Sequence, residues 1–146
     1  MDGIIFDVDG TLWDSVEVVA ESWNLAIKEN SDLEPNLNRE ILQGLFGKTM
    51  DEIAVGVFPD LDPDSRRKLM DICFDYENRY LETHPGVYYE GVMDTLKELA
   101  LEYPLFIVSN CQCGYIEVMM KGAGMEPYIK DFLCFGQTQT SKDQTI

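Results

Sequence analysis

Apolar residues recur along this chain with two periods. Gly3-Ile4-Ile5-Phe6, Pro104-Leu105-Phe106-Ile107-Val108 and Phe132-Leu133-Cys134-Phe135 are short continuous apolar runs. Each is closed by polar or turn-forming residues, and each predicts a buried strand. Gly136 is expected to end the third. Between and after the first two strands the period is helical. Val16, Val19, Ala20, Trp23 and Ile27 share one face of a helix expected to begin at Asp14, with Glu17 as its capping-box partner. Leu37 and Ile41 mark a shorter helix within 35–45. Thr49 and Glu52 form a second capping box ahead of Met50, Ile53, Ala54 and Val57. Asp62 caps the next helix, Pro63 takes its first position, and Leu69, Ile72, Cys73, Tyr76 and Tyr80 follow on one stripe to about Thr83. After residue 84 come two more helical stripes, one from Val92 to Tyr103 and one from Ile116 to Ala123, with Gly124 as terminator.

Strand, helix, strand, helix, strand is the order of a parallel sheet with right-handed crossovers. The all-helical stretch 14–83 interrupts that order and predicts an insertion. The expected division is a core of residues 1–13 and 84–146 and a helical cap of residues 14–83. The cap's hinges are expected near Asp14 and His84-Pro85-Gly86.

The chemistry is concentrated where the first strand ends. Asp7 and Asp9 stand two residues apart, so an extended backbone points both to one side. Asp9-Gly10 then turns the chain. Open α/β sheets bind ligands at that edge. Asp7 is suited to be a nucleophile without a partner base, because a carboxylate is ionised at neutral pH. Asp9 is suited to protonate a leaving oxygen and then deprotonate water. Two carboxylates repel a phosphate unless a cation lies between them, and hard oxygen ligands favour Mg²⁺. A calcium loop fails on spacing, since Leu12 falls where glycine is required and Val18 where a bidentate glutamate is required.

Phe6-Asp7-Val8-Asp9-Gly10-Thr11-Leu12-Trp13-Asp14-Ser15 resembles the first motif of the haloacid dehalogenase superfamily of phosphatases and phosphotransferases. The chain is most similar to members with a helical cap, such as phosphoglycolate phosphatases and β-phosphoglucomutase. The resemblance implies an α/β, Rossmann-like parallel sheet core. It also implies a Mg²⁺-dependent phosphomonoester hydrolase acting on a small phosphorylated metabolite through an aspartyl phosphate. Asp7 and Asp9 become the catalytic pair and the metal ligands, Asp9 through its carbonyl. Gly10 and Thr11 are expected at the phosphate. Ser109, with Asn110, matches the second motif, and Lys142 the third. The cap loop from Gly44 to Thr49 is expected to select substrate, with Lys48 as the contact. An acid at Asp9 favours phosphate esters over dehalogenation or phosphonate cleavage. A sugar-phosphate mutase and a non-catalytic binding relative are the alternatives. The fourth motif, an acidic cluster after a further strand, finds no match. The chain is therefore expected to be a piece of a longer enzyme, to hold Mg²⁺ weakly and to turn over slowly.

Composition narrows the partners. A formal net charge of -16 argues against nucleic acid and anionic membranes, and obliges any phosphate site to be locally positive. No apolar run approaches membrane-spanning length. Cys73 and Cys134 lie in apolar patterns and read as reduced, which implies a cytoplasmic setting. Cys111, Cys113 and His84 are too sparse for zinc. A monomer or homodimer is expected.

Overall fold

The structure is a computed structural model, and it describes residues 2–135. Lys142 and Gly136 lie outside the described residues.

Three strands form the central sheet: β1 (Ile4–Phe6), β4 (Leu105–Ser109) and β5 (Asp131–Cys134), in the order β1-β4-β5. Both ladders are parallel. Phe6 pairs with Ile107, and Ser109 pairs with Cys134. Parallel neighbours need helical crossovers. α5 (Val92–Ala100) precedes β4, and α6 (Tyr115–Ala123) and a 3-10 turn (Glu126–Tyr128) lead into β5. Ile107 and Ile116 are fully buried on the same core, with Val8, Trp13 and Met119. This is the α/β sheet that the alternation of strand and helix predicts. Gly124 ends α6 in the left-handed region at φ 69°, where a side chain would be strained.

The helical insertion packs around a second core. α1 (Val16–Asn30), α2 (Arg39–Gln43), α3 (Met50–Val57) and α4 (Pro63–Thr83) surround Trp23, Ala26, Leu42, Met70 and Cys73. Two of their starts follow the expected caps. Thr49 Oγ1 accepts from the Glu52 amide at 3.3 Å, and Asp62 Oδ2 accepts from the Ser65 amide at 3.0 Å.

Three expectations need correction. α1 begins at Val16, not Asp14. Asp14 belongs instead to β2 (Trp13–Asp14), which pairs antiparallel with β3 (Val87–Tyr88). Its Oδ1 still accepts from the Val16 amide at 3.1 Å, while Glu17 turns outward to pair with Arg39. The helix within 35–45 contracts to five residues behind the Asn38 cap, and Leu42 rather than Ile41 faces the core. In α4 the buried stripe is Leu69, Met70, Cys73, Phe74, Glu77 and Leu81, rotated from the expected one, with Ile72 exposed.

The β2–β3 ladder joins the two places where the chain crosses into and out of the helical insertion. It is tightly packed: a Cβ on Gly86 would lie 2.9 Å from both the Asp14 carbonyl oxygen and the Trp13 ring.

Candidate active site

The site lies at the carboxyl ends of β1 and β4, which the parallel register brings side by side. β1 ends at Phe6, so Asp7 leaves the sheet edge, and its Oδ1 accepts from the Val8 amide at 2.9 Å. The chain then coils tightly. The Val8 carbonyl accepts from the amides of Thr11 at 3.1 Å and Leu12 at 2.8 Å, and the Gly10 amide donates to the Trp13 carbonyl at 3.1 Å. Gly10 sits at φ 76°, which is the conformation that lets so short a loop close. The N–H groups of Gly10 and Thr11 are already used inside the loop. The bridge between Asp9 and Trp13 uses the Val8 carbonyl and the Gly10 amide, so the Asp9 carbonyl stays out of it.

The Asp9 carboxyl is held from the other side. The Tyr115 hydroxyl, from the first turn of α6, donates to Asp9 Oδ1. The Ser15 hydroxyl lies 3.4 Å from the same oxygen and 2.8 Å from the Tyr115 hydroxyl. Trp13 Nε1 donates to the Tyr115 oxygen at 3.2 Å, which fixes that hydroxyl with its proton toward Asp9. Burial pushes the Asp9 carboxyl up to about 6, the Tyr115 hydrogen bond pulls it back, and the negative charge of Asp7 adds to the rise. Both hydroxyls approach Oδ1.

Above Asp9 lies a cavity of about 30 Å³. That is room for one or two waters. Ser109 and Asn110 line it from the end of β4, and Lys48 reaches it from the loop between α2 and α3. Asn110 Nδ2 donates to the Gly47 carbonyl at 2.8 Å, so the insertion's loop is tied to the loop after β4. Four of the expected site residues therefore meet: Asp9, Lys48, Ser109 and Asn110. Gly10 lines an adjacent groove of about 210 Å³ with Asp9 and Arg39. Asp7 lies close enough to raise the proton affinity of Asp9 but is not among the residues lining either space. Thr11 is exposed and lines neither. The expected role of Lys142 falls outside the described residues.

Three residues of the site escaped sequence reasoning. Tyr115 stands just before the helical stripe expected from Ile116 and carries no signal of its own. Glu77 and Gln112 line the same cavity and are buried against each other, Gln112 Nε2 donating to Glu77 Oε2. Trp23 Nε1 donates to Glu77 Oε1 at 2.7 Å. Burial raises the Glu77 carboxyl to about 8, against the pull of the Gln112 and Trp23 hydrogen bonds.

The donor set for a cation is small. Among the described residues no three His, Cys, Asp or Glu side chains come together to hold a metal. The candidate donors are the Asp7 carboxylate and the Asp9 carbonyl. Both are hard oxygens, and Mg²⁺ is commonly held by one or two carboxylates with waters completing its shell. The residues present fit such an ion.

A parallel sheet with this pair of acids at the end of its first strand is the arrangement that the first motif implies. The profile of the haloacid dehalogenase-like hydrolase family matches residues 4–146, and the chain belongs to that family. No curated protein matches the sequence. Among solved structures, the chain is similar to a predicted phosphoglycolate phosphatase from Haemophilus somnus, with a TM-score of 0.80 and 23% identity over 94% of this chain and 63% of that one. It is also similar to a haloacid dehalogenase-like hydrolase from Streptococcus pneumoniae, with a TM-score of 0.72 and 20% identity over 92% of this chain and 61% of that one. A third is a HAD-family hydrolase from Bacillus subtilis bound to magnesium, with a TM-score of 0.64 and 23% identity over 94% of this chain and 66% of that one. At these identities the likeness is one of fold. The chain spans somewhat less than two thirds of the length of these relatives. Among the described residues no helix is long and apolar enough to cross a membrane.

Proposed function

We propose that the protein to which this chain belongs hydrolyses a small phosphomonoester with Mg²⁺, through a phosphoryl group carried on Asp7. An Asp7 carboxylate oxygen attacks phosphorus while the bond to the ester oxygen breaks. Asp9 gives a proton to that leaving oxygen. A water then attacks phosphorus, Asp9 takes the water's proton, the bond to Asp7 breaks and inorganic phosphate leaves. Ser109 and Asn110 hold phosphoryl oxygens without adding negative charge, and Lys48 offsets charge from the insertion's side. Lys142 is proposed to do so from the loop after β5. The Asp7 carboxylate and the Asp9 carbonyl would hold Mg²⁺, and the ion would supply the positive charge that lets a phosphate dianion approach two acids.

The observation that carries this reading is the setting of Asp9. A carboxyl raised to about 6 can both give and recover a proton near neutrality, and it is held at one oxygen by Tyr115 and Ser15. The relative bound to magnesium supports the choice of ion. The helical insertion is proposed to act as a lid, because a cavity of about 30 Å³ has no space for a whole phosphoester, so substrate must enter with the loops apart. The setting is proposed to be cytoplasmic, and the protein a monomer or homodimer that engages neither nucleic acid nor membranes. Phosphate release from a panel of phosphomonoesters, with Mg²⁺ and with EDTA, tests the reading. Release that needs Mg²⁺ and is lost in D7N is expected. Release indifferent to both would overturn it.

A further inference from the structure

Ser15 stands in the N-cap position of α1, where a serine commonly accepts from a helix amide. Its side chain makes no such bond, and Asp14 Oδ1 takes the Val16 amide instead. Ser15 is 1% exposed, and its hydroxyl turns inward to the Tyr115 hydroxyl and to Asp9 Oδ1. Tyr115 reaches the same oxygen from the core helix α6. It is 2% exposed and packs edge-on against Trp13, with ring centroids 5.8 Å apart, among the apolar residues Ile107, Ile116 and Met119. A phenylalanine would fill that space without burying a hydroxyl that must find a partner. The partner is the Asp9 carboxyl.

We propose that Tyr115 is a positioning residue for the acid of the reaction: it fixes the bearing of the Asp9 carboxyl, so that the proton reaches the ester oxygen as that oxygen leaves. The proposal rests on the phosphoryl-transfer reading above. The last torsion of an aspartate side chain is broad and roughly twofold, so a carboxyl left to itself has no set direction. Here one of its oxygens is held by two hydroxyls from two different elements. Trp13 Nε1 donates to the Tyr115 oxygen, so the single phenolic proton is directed at Asp9. Tyr115 acts through Asp9 and gives nothing to the substrate. Misplacing a reacting group by about 1 Å costs on the order of 10²-fold in rate.

Alkyl and aryl esters separate positioning from packing. An alkoxide leaves poorly unless it is protonated as it goes, whereas nitrophenolate leaves without a proton. In the protein to which this chain belongs, kcat/KM reports the steps up to transfer of the phosphoryl group to Asp7, and it is measured with Mg²⁺ for ethyl phosphate and for p-nitrophenyl phosphate. Y115F is expected to lower kcat/KM by about 10–100-fold for ethyl phosphate and by less than about threefold for p-nitrophenyl phosphate. S15A removes the more distant hydroxyl and should show the same selectivity at about three- to tenfold. If Y115F does not fold, S15A decides alone. D9N sets the scale, with a loss of about 10²–10⁴-fold confined to ethyl phosphate. An equal loss on both esters in Y115F and S15A, or no loss on ethyl phosphate, would overturn the role of Tyr115 while a selective D9N leaves the reaction standing. A D9N protein that keeps its rate on ethyl phosphate, or a wild type that hydrolyses neither ester, would overturn the reaction and this proposal with it.

Discussion

Replacing Glu77 by glutamine should change how stability depends on pH, and the size follows from the burial of the carboxyl. The folded protein holds Glu77 at about 8 against an ordinary value of 4.5. The folded state therefore keeps the proton that the unfolded chain gives up. The associated stability is fully present below about 4.5 and is lost as pH rises toward 8. Within that window the loss is about 1.4 kcal/mol for each pH unit, on the order of 5 kcal/mol in all. E77Q has no proton to lose. Urea unfolding at pH 6 and pH 8 reads the difference: the wild-type midpoint should fall by about 1–2 M more than the E77Q midpoint, given slopes of ~1–3 kcal/mol/M. Asp9, raised to about 6, titrates in both proteins, and its charge is one of the causes that raise Glu77, so the difference between the two profiles reads Glu77 together with that coupling. Since glutamine cannot accept from Trp23 and Gln112 at once, E77Q should be the less stable protein at low pH by roughly 1–2 kcal/mol. The two pH profiles should then converge and cross. Parallel profiles would refute the reasoning, because they would mean that Glu77 is ionised in the folded state.

Other perturbations reach different parts of the structure. Y115F removes the hydroxyl that lowers Asp9, so the Asp9 carboxyl followed by carbon NMR should titrate above its value of about 6, and a downward movement would contradict the network. G86A drives a Cβ into the Asp14 carbonyl and the Trp13 ring, and chemical denaturation should show a loss of roughly 2–4 kcal/mol. G114A meets both a φ of 93° and Asn78 Nδ2 at 2.8 Å, and should cost about 1–3 kcal/mol while loosening the Asn78–Cys113 hydrogen bond. N110A cuts the tie to the Gly47 carbonyl, so amide exchange around Gly47 and Lys48 should quicken while exchange in β4 stays unchanged.

What could be read from the chain, and what could not, follows from the range of each signal. Asp62-Pro63 and Thr49 with Glu52 are complete within one helical turn, and both caps form as expected. Asp7 and Asp9 announce themselves because an apolar strand runs straight into them. The β2–β3 ladder gave no such signal, since each strand has two residues and they pair across the whole insertion. Asp14 was therefore assigned to the helix it caps. Glu77 was invisible for another reason: periodicity counts apolar residues, so a charged residue at a core position looks like a rotation of the stripe. Only the neighbours Trp23 and Gln112, distant in sequence, make its burial tolerable. The same holds for Tyr115, whose hydroxyl matters solely because Asp9 lies opposite. The amides of Gly10 and Thr11 are taken up by the Trp13 and Val8 carbonyls, which a glycine turn read alone does not show.

The central claim is that Asp7 carries the phosphoryl group. Borohydride reduces an acyl phosphate to an alcohol, so trapping the protein during turnover with Mg²⁺ and substrate, then sequencing the amino-terminal peptide by mass spectrometry, addresses it directly. The account predicts homoserine at position 7 in the wild type, and neither that product nor turnover in D7N. An unmodified Asp7 under steady turnover, or undiminished turnover in D7N, would contradict it.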